Sequence, residues 1–195
     1  MLLSPDLAQI TAHIKERGLA YDDAVKHDRH APAPTFLIDG PSGSGKTTLA
    51  AEIEQHWNSA VKLQVVHMDD LYPGWDGLAE GSARALAMLS ERASGADSHW
   101  QRYDWSRGAF AEWHSVDARE PLLIEGCGAI MHESSSLSQV RIWLEADTEL
   151  RRERALSREG ENFAEHWTQW DAQYDNFVAL HNPRSLATLE VSTNE

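Results

Sequence analysis

The sequence predicts an α/β protein: a five-stranded parallel sheet with helices on both faces. Two observations carry this. Five short apolar runs alternate with helix-compatible stretches along the chain, as strand–helix–strand crossovers require. The run at 121–124 is uninterrupted by polar side chains, and 35–38 is nearly so, as expected of strands covered on both sides. The chain has 195 residues, and no internal repeat, linker or low-complexity tract divides it, so a single domain over 1–195 is expected.

Taken in order, Ser4-Pro5-Asp6 reads as an N-cap followed by proline at the first helical position. Leu7, Ile10 and Ile14 then recur at helical spacing up to Gly18, giving a helix over 4–17 within an N-terminal helical extension of 1–30. This helix either covers the sheet edge or builds a homodimer contact. Ala31-Pro32-Ala33-Pro34 is a stiff connector into the first strand, 35–38. A second strand is expected at 61–66, a loop at 73–77 and a helix at 78–93, with Gly95 just past its end. Segment 95–118, rich in Trp and His, reads as irregular. Strands follow at 121–124 and 140–144, then a basic helix at 147–158, a long aromatic-bearing helix at 163–180 and a fifth strand at 186–191.

Composition narrows the partners. Seventeen basic against 31 acidic side chains leave a net charge of −14, a surface that repels nucleic acid and anionic membrane. No apolar stretch reaches the length of a membrane span, and the start lacks the basic and long apolar regions of a secretory signal. The single cysteine, Cys127, has no partner for an internal disulfide and reads as a small core residue. Together these favour the cytoplasm.

Between the first strand and the next helix stands Gly40-Pro41-Ser42-Gly43-Ser44-Gly45-Lys46-Thr47, which matches G-x-x-x-x-G-K-[ST], the phosphate-binding P-loop. Its glycines allow a tight turn that brings consecutive backbone N–H groups onto phosphate oxygens. The helix that follows adds its N-terminal dipole to the same anion site. Gly40, Ser42, Gly43, Ser44, Gly45, Lys46, Thr47 and Thr48 are the candidate nucleotide-binding residues. Lys46 would reach the outer phosphates, and the Thr47 hydroxyl would hold Mg²⁺.

Parallel sheets bind ligands beyond the carboxyl ends of their strands. Besides the P-loop, Asp69-Asp70 and Glu125-Gly126 fall there. Phosphoryl transfer needs an oriented acceptor, a held metal and neutralised charge. Asp69 suits the proton acceptor and Glu125 a Mg²⁺ anchor. The plainer readings are a solvated helix cap for Asp69-Asp70 and a metal-free loop carboxylate for Glu125. Arg151, Arg154 and Arg158 share one helical face in a segment, 147–162, that reads as a lid closing on phosphates. The alternative is a surface helix laced with Glu149, Glu153 and Glu159 pairs. Trp75, Trp100, Trp105 and Trp113, with Tyr72 and Tyr103, could line a pocket for a flat or ring-shaped acceptor. Trp167 and Trp170 read as core or interface. The ten histidines show no zinc-binding spacing.

Residues 38–48, Asp69-Asp70-Leu71-Tyr72, Tyr103-Asp104-Trp105, Leu123-Ile124-Glu125-Gly126 and the arginine helix together resemble the uridine kinase-like P-loop kinases, over roughly residues 35–175. That family belongs to the nucleoside and adenylate kinase-like P-loop NTPases, a five-stranded parallel sheet with an arginine-bearing lid. The resemblance implies ATP with Mg²⁺ and a small-molecule hydroxyl acceptor, most simply a nucleoside. It implies Asp69 as general base, Tyr72 and Tyr103 at the acceptor, Glu125 near the metal, and Arg151, Arg154 and Arg158 as lid arginines. The sequence departs from the family where Tyr103-Asp104-Trp105 runs into Ser106-Arg107-Gly108. Gly108 stands where uridine kinases carry a base-contacting histidine. Other readings are a kinase for a sugar, vitamin precursor or antibiotic, and a nucleotide-binding regulatory protein without acceptor chemistry.

Overall fold

The computed structural model describes residues 5–28, 30–159 and 161–194. Ser4, read as an N-cap, and the side chain of Arg158 lie outside the described residues. Five parallel strands form the central sheet in the order β2-β5-β1-β6-β7. They are β1 (Thr35–Asp39), β2 (Gln64–His67), β5 (Leu122–Glu125), β6 (Val140–Glu145) and β7 (Leu189–Ser192). The other two strands, β3 (Ser98–Asp104) and β4 (Ala109–Val116), make a separate antiparallel hairpin. The helices are α1 (Pro5–His27), α2 (Lys46–Gln55), α3 (Leu78–Ala93), α4 (His132–Ser135), α5 (Thr148–Glu159), α6 (Glu161–His181) and α7 (Pro183–Leu186).

Side-chain alternation along the strands sorts the core into two layers. Phe36, Ile38 and Leu123 face α1 and α2, where they meet Ile10, Ile14, Leu49 and Ile53. Leu37, Leu122 and Ile124 face the other way, toward residues of α3 and α6 such as Leu89, Trp170 and Phe177. Each such large apolar side chain, fully buried, contributes about 1.5–3 kcal/mol. β1 sits between β5 and β6, so all five of its residues are buried. Among the described residues no helix is long and apolar enough to cross a membrane.

Three expectations are corrected. The helix read as ending at 17 runs on to His27, because Gly18 is a packing site. A Cβ there would lie 2.4 Å from the Trp57 ring, so the glycine lets that indole pack against α1. The second strand starts at Gln64 rather than 61, since the preceding turn is held by Asp22, which accepts from Ala60 N and Val61 N. Segment 95–118 is ordered as the β3–β4 hairpin. Its turn is closed by Asp104, whose carboxylate accepts from the backbone N–H of Ser106 and Arg107 and from the Ser106 hydroxyl. Gly108, at φ 62°, completes that turn and donates to Asp104 O at 2.8 Å.

Candidate active site at the carboxyl ends of the strands

The P-loop joins β1 to α2, and its glycines are required by backbone geometry and by crowding. Gly43 has φ 80°, and a Cβ on it would lie 2.1 Å from the carbonyl oxygen of Arg151. At Gly40 a Cβ would meet Leu144 O at the same 2.1 Å. The loop is thus wedged between the ends of β6 and α5. α2 starts on Gly45, and no side chain caps the N–H groups of its first turn. Lys46 is buried and folds back over the loop, donating to Gly40 O (2.8 Å) and Pro41 O (3.0 Å), with the Cys127 thiol 3.6 Å away. The Ser44 hydroxyl is buried without a hydrogen-bond partner. Thr47 and Thr48 are exposed at the start of α2. A cradle that admits no side chain, an uncapped helix start and a lysine lent to loop carbonyls fit a bound nucleoside triphosphate.

Two acidic groups that sequence reasoning separated from their partners now have them. Asp39, the last residue of β1, is fully buried. Its Oδ1 accepts from Gly40 N (2.7 Å), Gly128 N (3.0 Å) and the Tyr174 hydroxyl (2.9 Å), and its Oδ2 accepts from Ile130 N (2.8 Å). Burial pushes its carboxyl above the ordinary range, while these four donors pull the other way. Glu125 closes β5 beside His67 at the end of β2, and the two are register partners. His67 Nδ1 donates to Glu125 Oε1 at 2.7 Å. That bond raises the imidazole's pKa against the effect of its partial burial, and Asp70 and Asp69 add to the rise. Neither Asp39 nor His67 was picked out in the sequence as a site residue, because each owes its role to a partner brought in by the sheet order.

Asp69 lies one turn beyond β2, in a single 3-10 turn over Met68–Asp70, and is exposed. The Trp105 indole, at the hairpin turn, donates to Asp69 O at 2.8 Å and so ties the hairpin to this carboxylate's backbone. Burial pushes the neighbouring Asp70 up, opposed by His67 and by Arg102 and His114 of the hairpin. Tyr103 stands half-buried between Trp105 and Phe110, with ring centroids at 5.5 and 5.4 Å. Tyr72 corrects an expectation. It is 1% exposed, its hydroxyl donates to Cys127 O at 2.7 Å and its ring packs on Trp170, so it offers no surface to an acceptor and belongs to the core. Trp75 and Trp105 do come together, at 4.7 Å, and Trp75 stacks on His166 at 4.5 Å. Trp100 instead stacks on His114 within the hairpin, and Trp113 is 66% exposed.

Among the arginines read from the sequence as a lid, Arg151 is buried and donates to Ser42 O at 3.2 Å, with Asp171 of α6 at 3.8 Å. Arg154 turns to the far edge and holds the Thr193 hydroxyl (3.1 Å) and carbonyl (2.8 Å), while Thr193 Oγ1 donates to Ser44 O at 2.8 Å. α5 is therefore bonded to the P-loop directly through Arg151 and indirectly through Arg154.

Parallel strands in this order with a P-loop after β1 define the α/β P-loop NTPase fold. Residues 37–168 match the family model described as AAA domain, and the chain belongs to that P-loop family. No curated protein matches it. Among solved structures it is similar to a "possible uridine kinase" from Bacillus stearothermophilus, at 18% identity and TM-score 0.57, covering 91% of this chain and 98% of that one. It is equally similar to a "putative fructose transport system kinase" from Silicibacter sp. TM1040, at 17% identity and TM-score 0.57, covering 89% and 98%. At these identities the likeness is one of fold.

Proposed function

We propose that this protein is a kinase that transfers the γ-phosphoryl group of ATP, with Mg²⁺, to a hydroxyl of a small molecule. The observation that carries the reading is the pairing of an intact P-loop after β1 with an exposed carboxylate, Asp69, after β2 on the same edge of the sheet. A nucleotide-binding regulator has no need of that second group.

In this reading the loop N–H groups, and those of the first turn of α2, bind phosphate oxygens. Lys46 gives up its bonds to Gly40 O and Pro41 O and takes phosphate oxygens instead. When bound, Mg-ATP supplies the phosphoryl group and the metal charge that stabilises its transfer. Thr47 and Glu125 are the residues that would hold the metal, with water and phosphate completing its shell. Asp69 accepts the proton of the acceptor hydroxyl, and Tyr103 and Trp105 flank the acceptor. Arg151, bonded to Ser42 O, and Arg154, joined to the loop through Thr193, would offset negative charge on the phosphates, and Arg158 completes the proposed lid set. The acceptor is nucleoside-like by resemblance. Gly108 favours a wider search, since it closes a turn and carries no side chain to donate to a base.

The test is ADP release from Mg-ATP against a panel of nucleosides, sugars and other polyols. Turnover on any of these supports the kinase reading and names the acceptor class. Silence across the panel, with ATP still bound, overturns it in favour of a nucleotide-binding regulator.

A further inference from the structure

α6 reaches the root of the P-loop, the loop at Trp75–Asp76 and α5 with polar side chains from a single stretch. Tyr174 donates to Asp39 Oδ1, and Asp39 in turn holds the first P-loop amide, Gly40 N. The preceding residue, Gln173, donates through Nε2 to Trp75 O at 2.6 Å, in the loop between the Met68–Asp70 turn and α3. One turn earlier, Gln169 donates to Asp76 Oδ1 at 2.6 Å, in that same loop. Asp171 faces Arg151 of α5. Residues 173 and 174 point about 100° apart around a helix, so one turn can grip a buried group with one side chain and a surface loop with the next. The ring packing follows the same path. Trp170 meets Tyr72 at 4.7 Å and Trp75 at 6.4 Å, and Tyr174 stacks on Trp143 and Phe177.

We propose that α6 is a connecting rod between the two halves of the site: Tyr174 grips the root of the P-loop through Asp39, Gln173 grips the acceptor loop through Trp75, and seating a nucleotide therefore orders the acceptor loop. Tyr174 and Gln173 are positioning residues, since neither touches the P-loop's anion site. The proposal rests on the P-loop being a nucleotide site. It explains why Asp39 is buried despite the cost of burying a carboxylate. A carboxyl that accepts four bonds ties β1, the segment after β5 and α6 together at the root of the P-loop.

The experiment is amide hydrogen exchange, resolved by residue, with and without Mg-AMP-PNP. The reporters are Gly74 and Gly77, whose N–H groups donate to Tyr72 O and Gly74 O within the acceptor loop. In the wild-type protein the nucleotide analogue should slow their exchange by about tenfold, a common strength of coupling between sites. Tyr174→Phe keeps the stacked ring and removes only the hydroxyl. Gln173→Leu cuts the other end of the rod on a half-buried position and guards against a folding failure of the first variant. Each should reduce the slowing to below about twofold while the analogue still binds. Equal slowing in the variants and the wild type, or none in a wild type that binds the analogue, overturns the rod and leaves the nucleotide reading standing. A wild type that does not bind the analogue withdraws both. A purely structural role for these bonds would lower the melting temperature of the variants and leave the nucleotide-dependent slowing intact.

Discussion

Gly43→Ala perturbs the contact between the P-loop and α5 and has a control built into the same chain. Gly43 and Gly95 share a backbone conformation, φ 80° and 81°, so alanine at either carries the same left-handed penalty, about 1–2 kcal/mol. Their surroundings differ completely. Around Gly95 a Cβ meets nothing within 4 Å, whereas at Gly43 it lies 2.1 Å from Arg151 O and 2.8 Å from Arg151 Cα. Backbone cannot swing aside like a side-chain tip. Reaching even a 3.4 Å contact requires α5 and the loop to part by about 1.3 Å, the difference between 3.4 and 2.1 Å. That separation breaks the 3.2 Å bond from Arg151 to Ser42 O, at about 0.5–1.5 kcal/mol, and loosens the packing of α5. Gly95→Ala should therefore lower stability by about 1–2 kcal/mol and Gly43→Ala by about 3 kcal/mol or more. In a chain of this size each kcal/mol shifts the melting temperature by about 2–4 °C, so Gly43→Ala should melt at least about 2 °C below Gly95→Ala in a thermal scan followed by circular dichroism. Equal shifts would refute the reasoning, because they would mean that α5 does not rest on the loop.

Other outcomes follow from the same geometry. Asp39→Ala would leave Gly40 N, Gly128 N, Ile130 N and the Tyr174 hydroxyl buried without an acceptor, at about 1–3 kcal/mol each, and should not yield a stably folded protein. A soluble Asp39→Ala protein with near-native melting would contradict that hydrogen-bond accounting. Partial burial works against ionisation of Asp22, yet donors from Ser59, Ala60 and Val61 hold its carboxyl below the ordinary carboxylate value. A lowered folded pKa means the ionised group stabilises the fold above about pH 4 and that this contribution disappears as pH falls through the folded value. The gap in urea midpoint between wild type and Asp22→Asn should accordingly narrow on acidification from about pH 6 to pH 3. A gap constant over that range would show that Asp22 does not titrate with folding.

The parts of the fold legible in the sequence are those whose neighbours in space follow from burial alone. Phe36, Leu37 and Ile38, like Leu122, Leu123 and Ile124, form unbroken apolar runs because β1 and β5 are covered on both faces. The hairpin was not legible. Most of its side chains are half-buried or exposed, so it shows no apolar face, and its strands are defined by cross-strand pairs such as Arg102 with Glu112 and Trp100 with His114. Asp104 and Gly108 did carry a turn signal five residues long that could have revealed it. Lys46, Thr47 and Asp69 were legible as candidates because each sits at a fixed offset from a strand end. His67 opposite Glu125, Tyr174 against Asp39 and Gln173 under Trp75 were not, since these pairs are 58, 135 and 98 residues apart and meet only through the strand order and the return of α6. Tyr72 shows the opposite error. Its motif suggested an acceptor contact, whereas its place two residues beyond the 3-10 turn sends the ring into the core against Trp170.

Asp69→Asn tests the central claim most directly, using the acceptor that the panel identifies. The substitution keeps the side-chain shape and leaves the backbone carbonyl that receives the Trp105 indole. Turnover and the dissociation constant for Mg-AMP-PNP would be measured on the same preparations. If Asp69 is the proton acceptor of a kinase, kcat should fall by about 10²–10⁴-fold while nucleotide affinity changes by less than about threefold. Turnover that persists near the wild-type rate, or a matching loss of nucleotide binding, would contradict the account.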